Sequence, residues 1–298
     1  MQGIGPVRRI VGLDRIAEAA ALAHLHDVND QPYTLPYEVK KTKRENAIIA
    51  DILYFLPMFL SEYSIPSFAF RSQRIHIIEL TDNIRRQFNI RADVRGFFME
   101  NREAVAVERI EDDLWFAGNL VHELLHLHSF VSFLFERQTQ KVSLRRTGLV
   151  IKNPRGKRFF HTTNEAVIER LSRMFDRRYF PKMASLYEAV ATRQRFINRN
   201  PQHEFTIQSV RTYQIEGGLW ETTVRQYSAY ENEWAEFNRV VYDIQNSDPT
   251  RYIGDTVFRV FVQAMFSGRL LPLARMICTA LGKGVFKKCV LAAELKGG

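Results

Sequence analysis

Two histidines and a glutamate in this chain have the residue types and spacing of a metal site. His122 and His126 are four positions apart, with Glu123 directly after the first, in the run His-Glu-Leu-Leu-His. Residues four apart share one face of an α-helix, so the two imidazoles can point at one place. Glu123 lies about 100° further around such a helix, beside that place. Two neutral imidazoles suit zinc, and the adjacent carboxylate suits proton transfer from a zinc-bound water.

The residues around this motif predict a long buried helix. Acidic residues at 111–113 favour a helix N-terminus there, because negative charge complements the helix dipole. An apolar pattern continues from 113 to about Phe135, which predicts a helix over that range. Histidine and glutamate side chains in a buried helix are costly without partners, and a metal ion supplies one. The alternative interpretation is a pair of core histidines satisfied by hydrogen bonds.

The motif resembles the HExxH sequence of the zincin metallopeptidases. Downstream, Asn164, Glu165 and Glu169 are similar to the gluzincin pattern, in which Asn-Glu opens a second helix, the Glu binds zinc and a later acid supports a zinc-bound His. The resemblance implies a bound Zn²⁺ whose third ligand is Glu165. It implies that Glu169 accepts a hydrogen bond from the far nitrogen of a ligand histidine. Glu123 is then the general base of peptide hydrolysis.

Other interpretations of the second pattern remain open from the sequence. Thr162 to Glu165 also fits a capping box, in which Glu165 would only stabilise a helix N-terminus. Glu165 follows His126 by 39 positions, farther than in thermolysin-like enzymes. A predicted hairpin at 148–160 would return the chain to nearly the same place and so explains that distance. The metzincin pattern is absent after the motif, and Glu136 is too close in sequence to turn back onto the metal.

Strand-like runs precede the motif. Zincins place an edge strand there, to which a peptide substrate adds as an antiparallel strand. Residues 96–99 or 104–110 are the candidates, since both are rich in apolar and β-prone residues. The run at 96–101 also faintly resembles the Gly-x-Met-Glu-Asn sequence of zinc aminopeptidases, although an extra Phe interrupts it. An endopeptidase is favoured and an aminopeptidase is the alternative.

A peptidase also needs a donor for the oxyanion that forms at the scissile carbonyl. Gluzincins usually supply a Tyr or a His for this role. The sequence does not choose among the candidates, which are His161, His203, Tyr213, Tyr227 and Tyr230.

The charge balance suggests an anionic partner. Lys and Arg total 42 against 33 for Asp and Glu, which gives a net charge of +9. Residues 141–158 contain seven basic residues and no acid, so they form either a solvated hairpin face or a positive rim that attracts acidic peptides or nucleic acid. A nucleic-acid-binding protein without hydrolytic activity is the competing class. No zinc-finger, RNP or helix-turn-helix signature accompanies the basic run.

The composition predicts a cytoplasmic protein that does not cross a membrane. No run approaches the roughly 20 apolar residues of a membrane span, and charges interrupt any signal-like segment at the N-terminus. The two cysteines, Cys278 and Cys289, do not form a disulfide framework.

The predicted fold class is α+β and zincin-like, with a mixed sheet and the motif helix in the front half and a mainly helical back half. The predicted division is an N-terminal extension at 1–44, an α/β upper subdomain at 45–135 that ends in the HExxH helix, and a mainly helical lower subdomain at 136–298. Residues 1–44 could also act as a blocking segment.

Overall fold

The computed structural model of the chain describes residues 7–29, 33–35, 37–65, 67–68, 70–87, 90, 94–100, 102–153, 157–214, 220–227 and 231–285. Within these ranges helices and mixed β-sheets occur together, which confirms the α+β class.

The helices and strands follow one another in a mixed order. The strands are β1 (Val7–Val11), β2 (Ile75–Ile78), β3 (Gly96–Met99), β4 (Ala104–Glu108), β5 (Val131–Glu136), β6 (Lys141–Thr147), β7 (Val150–Lys152), β8 (Arg158–Phe159), β9 (Ile207–Gln214) and β10 (Trp220–Gln226). The helices are α1 (Arg15–Asn29), α2 (Lys43–Glu62), α3 (Asp82–Gln87), α4 (Asp113–His128), α5 (His161–Tyr179), α6 (Tyr187–Arg199), α7 (Glu231–Ser247), α8 (Thr256–Ser267) and α9 (Leu270–Leu281).

The described strands form three sheets. A five-stranded sheet has the order β1-β5-β6-β7-β8, with β1 parallel to β5 and the other neighbours antiparallel. A three-stranded sheet has the order β2-β4-β3, in which β4 is parallel to β2 and antiparallel to β3. Strands β9 and β10 form an antiparallel pair. Strand β3 is therefore at an edge of its sheet.

One continuous cluster of buried apolar side chains includes residues of α2, α4, α5, α7, α8 and α9. Helix α4 lies in the middle of it, packed against α5 on one side and against β3 and β4 on another. Apolar burial of this extent is the main source of folding free energy, and it fixes α4 relative to both neighbours. The HExxH residues are carried by this central helix.

The HExxH helix is shorter than its apolar pattern predicts. Helix α4 ends at His128, and residues 131–136 form strand β5, so the prediction of a helix to Phe135 is wrong. Ser129 has an extended backbone and ends the helix, and its hydroxyl donates to the carbonyl of His126 (2.6 Å). A short apolar run fits a buried strand as well as a helix. Pairing with β1 and β6 on either side decides for the strand.

The region after residue 160 contains a hairpin that its helical pattern does not indicate. Strands β9 and β10 interrupt a region that the sequence predicts as mostly helical. Both strands contain β-branched residues, including Val210 and Thr212 in β9 and Thr222 and Val224 in β10, which are typical of strands. The predicted hairpin at 148–160 is confirmed by the antiparallel pairing of β7 with β8, where Ile151 lies opposite Phe159. Residues 154–156 of its turn lie outside the described residues.

The N-terminal segment contributes elements to both larger sheets. Strand β1 is the edge strand beside β5. Glu38 forms a bridge with Ile78 on β2, and the amide of Val39 donates to the carbonyl of Ile77 (2.8 Å). Helix α1 is fastened by His26, whose Nδ1 lies 3.1 Å from a carboxylate oxygen of the buried Glu103.

None of the helices that the structure describes is both long enough and apolar enough to cross a bilayer.

Candidate metal centre

Helix α4 presents a partly exposed stripe along an otherwise buried surface. Its N-terminus is capped by Asp112, whose carboxylate accepts a hydrogen bond from the amide of Trp115 (3.0 Å). Leu124, Leu125 and the other leucines of the helix are buried, as are Phe116, Ala117 and Val121. His122, Glu123 and His126 keep a small exposed fraction, 12% for each histidine side chain, because they lie on the face that the apolar core does not cover. The helical period thus separates packing residues from polar ones.

Helix α5 begins in a way that leaves Glu165 available. Its N-cap is Phe160, which has a left-handed backbone (φ 60°) and makes no side-chain cap. Thr162 and Glu165 therefore do not form the capping box that the sequence allows. Asn164 accepts a hydrogen bond from the amide of Leu149 (2.9 Å) and donates from Nδ2 to Glu165 Oε1 (3.2 Å). The contact with Glu165 orients its carboxylate, and the contact with Leu149 ties α5 to the turn between β6 and β7.

Three potential ligand atoms converge between α4 and α5. The Nε2 atoms of His122 and His126 are 3.1 Å apart. Glu165 Oε2 lies 3.4 Å from Nε2 of His122 and 3.3 Å from Nε2 of His126. Tetrahedral zinc with bonds of 2.0–2.1 Å places neighbouring ligand atoms about 3.3 Å apart. The three distances therefore match one face of a zinc coordination tetrahedron, and among the described residues these three form a group able to hold a metal ion.

The charges around the two histidines favour a cation between them. Burial on its own lowers the pKa of His122, but the carboxylates of Glu165 and Glu169 outweigh burial and raise the pKa to about 10. Burial raises the pKa of Glu165, and the two imidazoles reverse this, so that its pKa lies well below the usual range. The Glu165 carboxylate is thus anionic at neutral pH. The two imidazole nitrogens and the Glu165 carboxylate fit a divalent ion. Such an ion would take the place of the proton that the raised pKa of His122 otherwise retains.

Glu123 lies between the two imidazoles and the edge strand β3. The backbone amide of Phe98 lies close enough to its carboxylate to lower its pKa. A Cβ atom at Gly96 would lie 2.9 Å from Cγ of Glu123, so β3 approaches this side chain closely because residue 96 is glycine. Burial raises the pKa of Glu123, and this outweighs the lowering by the two histidines and the amide. A raised pKa suits a group that accepts and returns a proton.

Glu169 and Arg173 lie behind His122, one and two turns beyond Glu165 on the same helix face. Glu169 Oε2 is 3.6 Å from Nδ1 of His122, on the side predicted from the sequence. Its other oxygen accepts a hydrogen bond from Nε of Arg173 (2.7 Å). Sequence reasoning did not single out Arg173, although its spacing of four from Glu169 and eight from Glu165 was a usable signal.

The candidates for oxyanion stabilisation are placed in different parts of the fold. His161 is the half-buried first residue of α5, His203 ends a short 3₁₀ turn, and Tyr213 is an exposed residue of β9. The hydroxyl of Tyr227 donates to Asp176 and is thereby engaged. Tyr230 lies outside the described residues. The identity of the oxyanion donor stays a prediction.

His128 is not part of the cluster, as its position on the helix predicts. Its ring stacks on Phe68 with a centroid distance of 4.3 Å, and its Nδ1 lies 2.7 Å from the carbonyl of Leu124. Burial and local hydrogen bonding account for this histidine.

The basic run at 141–158 is only partly a surface feature. Arg146 is buried, and its guanidinium donates to the carbonyls of Ala264 and Gly268 near the end of α8. Burial lowers the pKa of Arg146 to about 10. Arg145 donates to the carbonyl of Lys152 (2.8 Å), which links β6 to β7. Arg145 and Arg146 therefore contribute contacts to the fold, and the ammonium of Lys157 lies over the ring of Phe159 (5.7 Å). Arg155 lies outside the described residues.

No protein-family model, curated protein sequence or solved structure matches this chain. The class of site is accordingly defined by its own geometry: two histidines and a glutamate on neighbouring helices, with a further glutamate beside them.

Proposed function

We propose that the protein is a zinc-dependent peptidase of the gluzincin type, with a zincin-like arrangement of the active-site helix and an edge strand. The observation that supports this most directly is the convergence of His122, His126 and Glu165 at separations of 3.1–3.4 Å. Two imidazoles and a carboxylate are a donor set of catalytic zinc sites, which leave the fourth position open.

Zinc, when bound, supplies a Lewis acid and lowers the pKa of a coordinated water to roughly 7. Glu123 accepts the proton of the attacking water, because its carboxylate lies beside the ligand cluster and its pKa is raised by burial. It then returns the proton to the leaving amine.

The edge strand β3 supports peptides as the substrate class. On one side β3 pairs with β4, with Phe97 opposite Ala106. Its other edge lies beside Glu123, where the amide of Phe98 is directed. An extended peptide can add to this edge as an antiparallel strand, which brings a scissile bond past the metal. An endopeptidase is favoured because such binding does not require a free terminus.

The aminopeptidase alternative depends on Glu100, which follows β3. Glu100 is the glutamate of the run at 96–101 that resembles the Gly-x-Met-Glu-Asn sequence of zinc aminopeptidases. Its carboxylate oxygen lies 3.4 Å from the hydroxyl of Thr147 at the end of β6. Acidic peptides are a further option within either activity, since exposed cations of the 141–158 run attract negative charge. A cytoplasmic location remains a prediction.

The decisive test combines a metal measurement with a digest. Protein purified without affinity metals should contain about one zinc per chain, and it should hydrolyse members of an unbiased peptide library. A chelator should abolish this turnover and added zinc should restore it. Metal-free protein that still hydrolyses peptides, or protein that neither contains nor takes up zinc, would show that the proposal is wrong. A protein that lacks turnover but binds nucleic acid in a salt-dependent, chelator-resistant manner would support the competing class instead.

A further inference from the structure

A stripe of four charged side chains runs down α5 from the candidate metal site into the protein. Glu165, Glu169, Arg173 and Asp176 succeed one another at spacings of four, four and three residues. All four lie on one helix face, and the three acids are buried while the side chain of Arg173 is 12% exposed. Four charges in a buried stripe are costly unless each has a defined partner.

Arg173 is the link between the two halves of this stripe. Its Nε donates to Glu169 Oε1 (2.7 Å), while Glu169 Oε2 faces Nδ1 of His122 (3.6 Å). The guanidinium lies against the rings of Tyr227 (4.5 Å) and Trp234 (4.7 Å). Cation–π contacts on a desolvated guanidinium restrict its plane and position.

One of those rings is itself anchored. The hydroxyl of Tyr227 donates to Asp176, whose carboxylate is held by two hydrogen bonds from Arg193 (2.7 and 2.8 Å). Burial and the adjacent Asp176 carboxylate raise the pKa of Tyr227 well above its usual range, so the phenol stays a donor. A connected series of contacts therefore leads from Arg193 through Asp176, Tyr227 and Arg173 to Glu169.

We infer that Arg173 is a positioning residue for the metal site, which acts through Glu169 to set the orientation and tautomer of His122. This inference rests on the proposed zinc function. With one oxygen of Glu169 occupied by Arg173, the other is directed at Nδ1 of His122. A hydrogen on Nδ1 leaves the lone pair of Nε2 for the metal.

A purely structural ion pair within α5 is the competing explanation, and Arg170 provides the matched control. Arg170 is on the same helix, pairs with Asp255 (3.0 Å) and lies over the ring of Phe258 (4.1 Å). Its contacts resemble those of Arg173 in kind but are directed towards α8. Removal of either guanidinium should lower thermal stability. Only removal of the Arg173 guanidinium should weaken metal binding.

The experiment compares zinc affinity, by competition with a chromophoric chelator, among wild type, Arg173→Gln and Arg170→Gln. The visible spectrum of the Co²⁺-substituted proteins reports the ligand geometry independently of activity. Arg173→Gln should bind zinc about tenfold more weakly and shift the Co²⁺ bands, as is typical of lost outer-shell partners. Arg170→Gln should match wild type in both measurements.

A double-mutant cycle tests the route of the effect. In a Glu169→Gln background, Arg173→Gln should cause little further loss of zinc affinity, because the residue through which it acts is already neutral. Arg173→Lys retains the positive charge but lacks the planar guanidinium group. It should give an intermediate affinity, and it serves in place of Arg173→Gln if that variant does not fold.

Wild-type zinc affinity and an unchanged Co²⁺ spectrum in the folded Arg173 variant would overturn the inference while leaving the zinc site intact. An equal loss of affinity in the Glu169→Gln background would also overturn it. A wild-type protein that binds no zinc would overturn the proposed function, and the inference with it.

Discussion

Glu169 lies 3.6 Å from Nδ1 of His122, on the side of the imidazole opposite to the nitrogen that faces Glu165. The two carboxylates lie on successive turns of α5, so carboxylates of one helix face both nitrogens of the His122 ring. This geometry assigns different tasks to the two acids. Glu165 faces the place where the two histidines converge, and Glu169 stands behind one of them.

Glu165→Ala should remove the zinc. The carboxylate makes no cap and is directed at both imidazoles, so its loss leaves two ligands, and zinc content should fall well below one per chain. A residue that merely capped a helix would cost about 1 kcal/mol of stability and leave metal binding unchanged. Elemental analysis after dialysis measures this, with Glu188→Ala in the exposed first turn of α6 as the control. Normal zinc content in Glu165→Ala would contradict the gluzincin assignment.

Glu123→Gln should retain the zinc but lose the peptidase activity. The amide keeps the size of the side chain but cannot take a proton, and general-base catalysis contributes about 10²–10⁴-fold to rate. Turnover of a peptide found in the library digest should fall by at least about 10²-fold, with zinc near one per chain. Undiminished turnover would show that Glu123 is not the base.

Gly96→Ala should slow turnover without removing zinc. The new Cβ would meet Cγ of Glu123 at 2.9 Å and the carbonyl of Ala106 at 3.1 Å, so the strand or the carboxylate must shift. A displacement near 1 Å at a catalytic group costs up to about 10²-fold in rate. Steady-state kinetics should show the loss mainly in kcat. Gly284→Ala is the control, because nothing lies within 4 Å of its added Cβ; equal kinetics in both variants would count against the contact.

Glu45→Gln should lower stability at neutral pH by about 1 kcal/mol, away from the metal site. Burial raises the pKa of Glu45, but hydrogen bonds from Arg109 and from the Thr42 cap reverse this and leave the pKa below its ordinary value of 4.5. A depressed folded pKa stabilises the protein above the unfolded pKa, and this contribution is lost as the pH falls through the folded value.

Urea titrations of Glu45→Gln and wild type should therefore differ most near pH 7 and converge below about pH 4.5. The variant keeps an amide oxygen that can accept from the Thr42 amide, so the difference reports the charge and not the capping box. A gap between the two proteins that stays constant down to pH 4 would contradict the assigned role of the Arg109 pair.

The grouping of side chains at the candidate site was largely predictable because it depends on residue type and helical spacing. His122, Glu123 and His126 are brought to one face by the period of a single helix, whatever the rest of the fold does. The same period places Glu165, Glu169 and Arg173 on one face of α5. The position of His128 on the opposite side followed from the same rule.

Tertiary structure decided what local pattern leaves ambiguous. The run at 131–136 is apolar enough for either a helix or a strand, and pairing with β1 and β6 makes it β5. Thr162 to Glu165 fits a capping box by sequence, yet the chain enters α5 through the left-handed Phe160 and the carboxylate turns to the histidines. Arg146 belongs to a basic run that the sequence suggests is a charged surface, and only its packing against α8 shows that it is buried. Spacing along one element is local and sequence-encoded, whereas partners across 39 residues are selected by the free energy of burying both elements together.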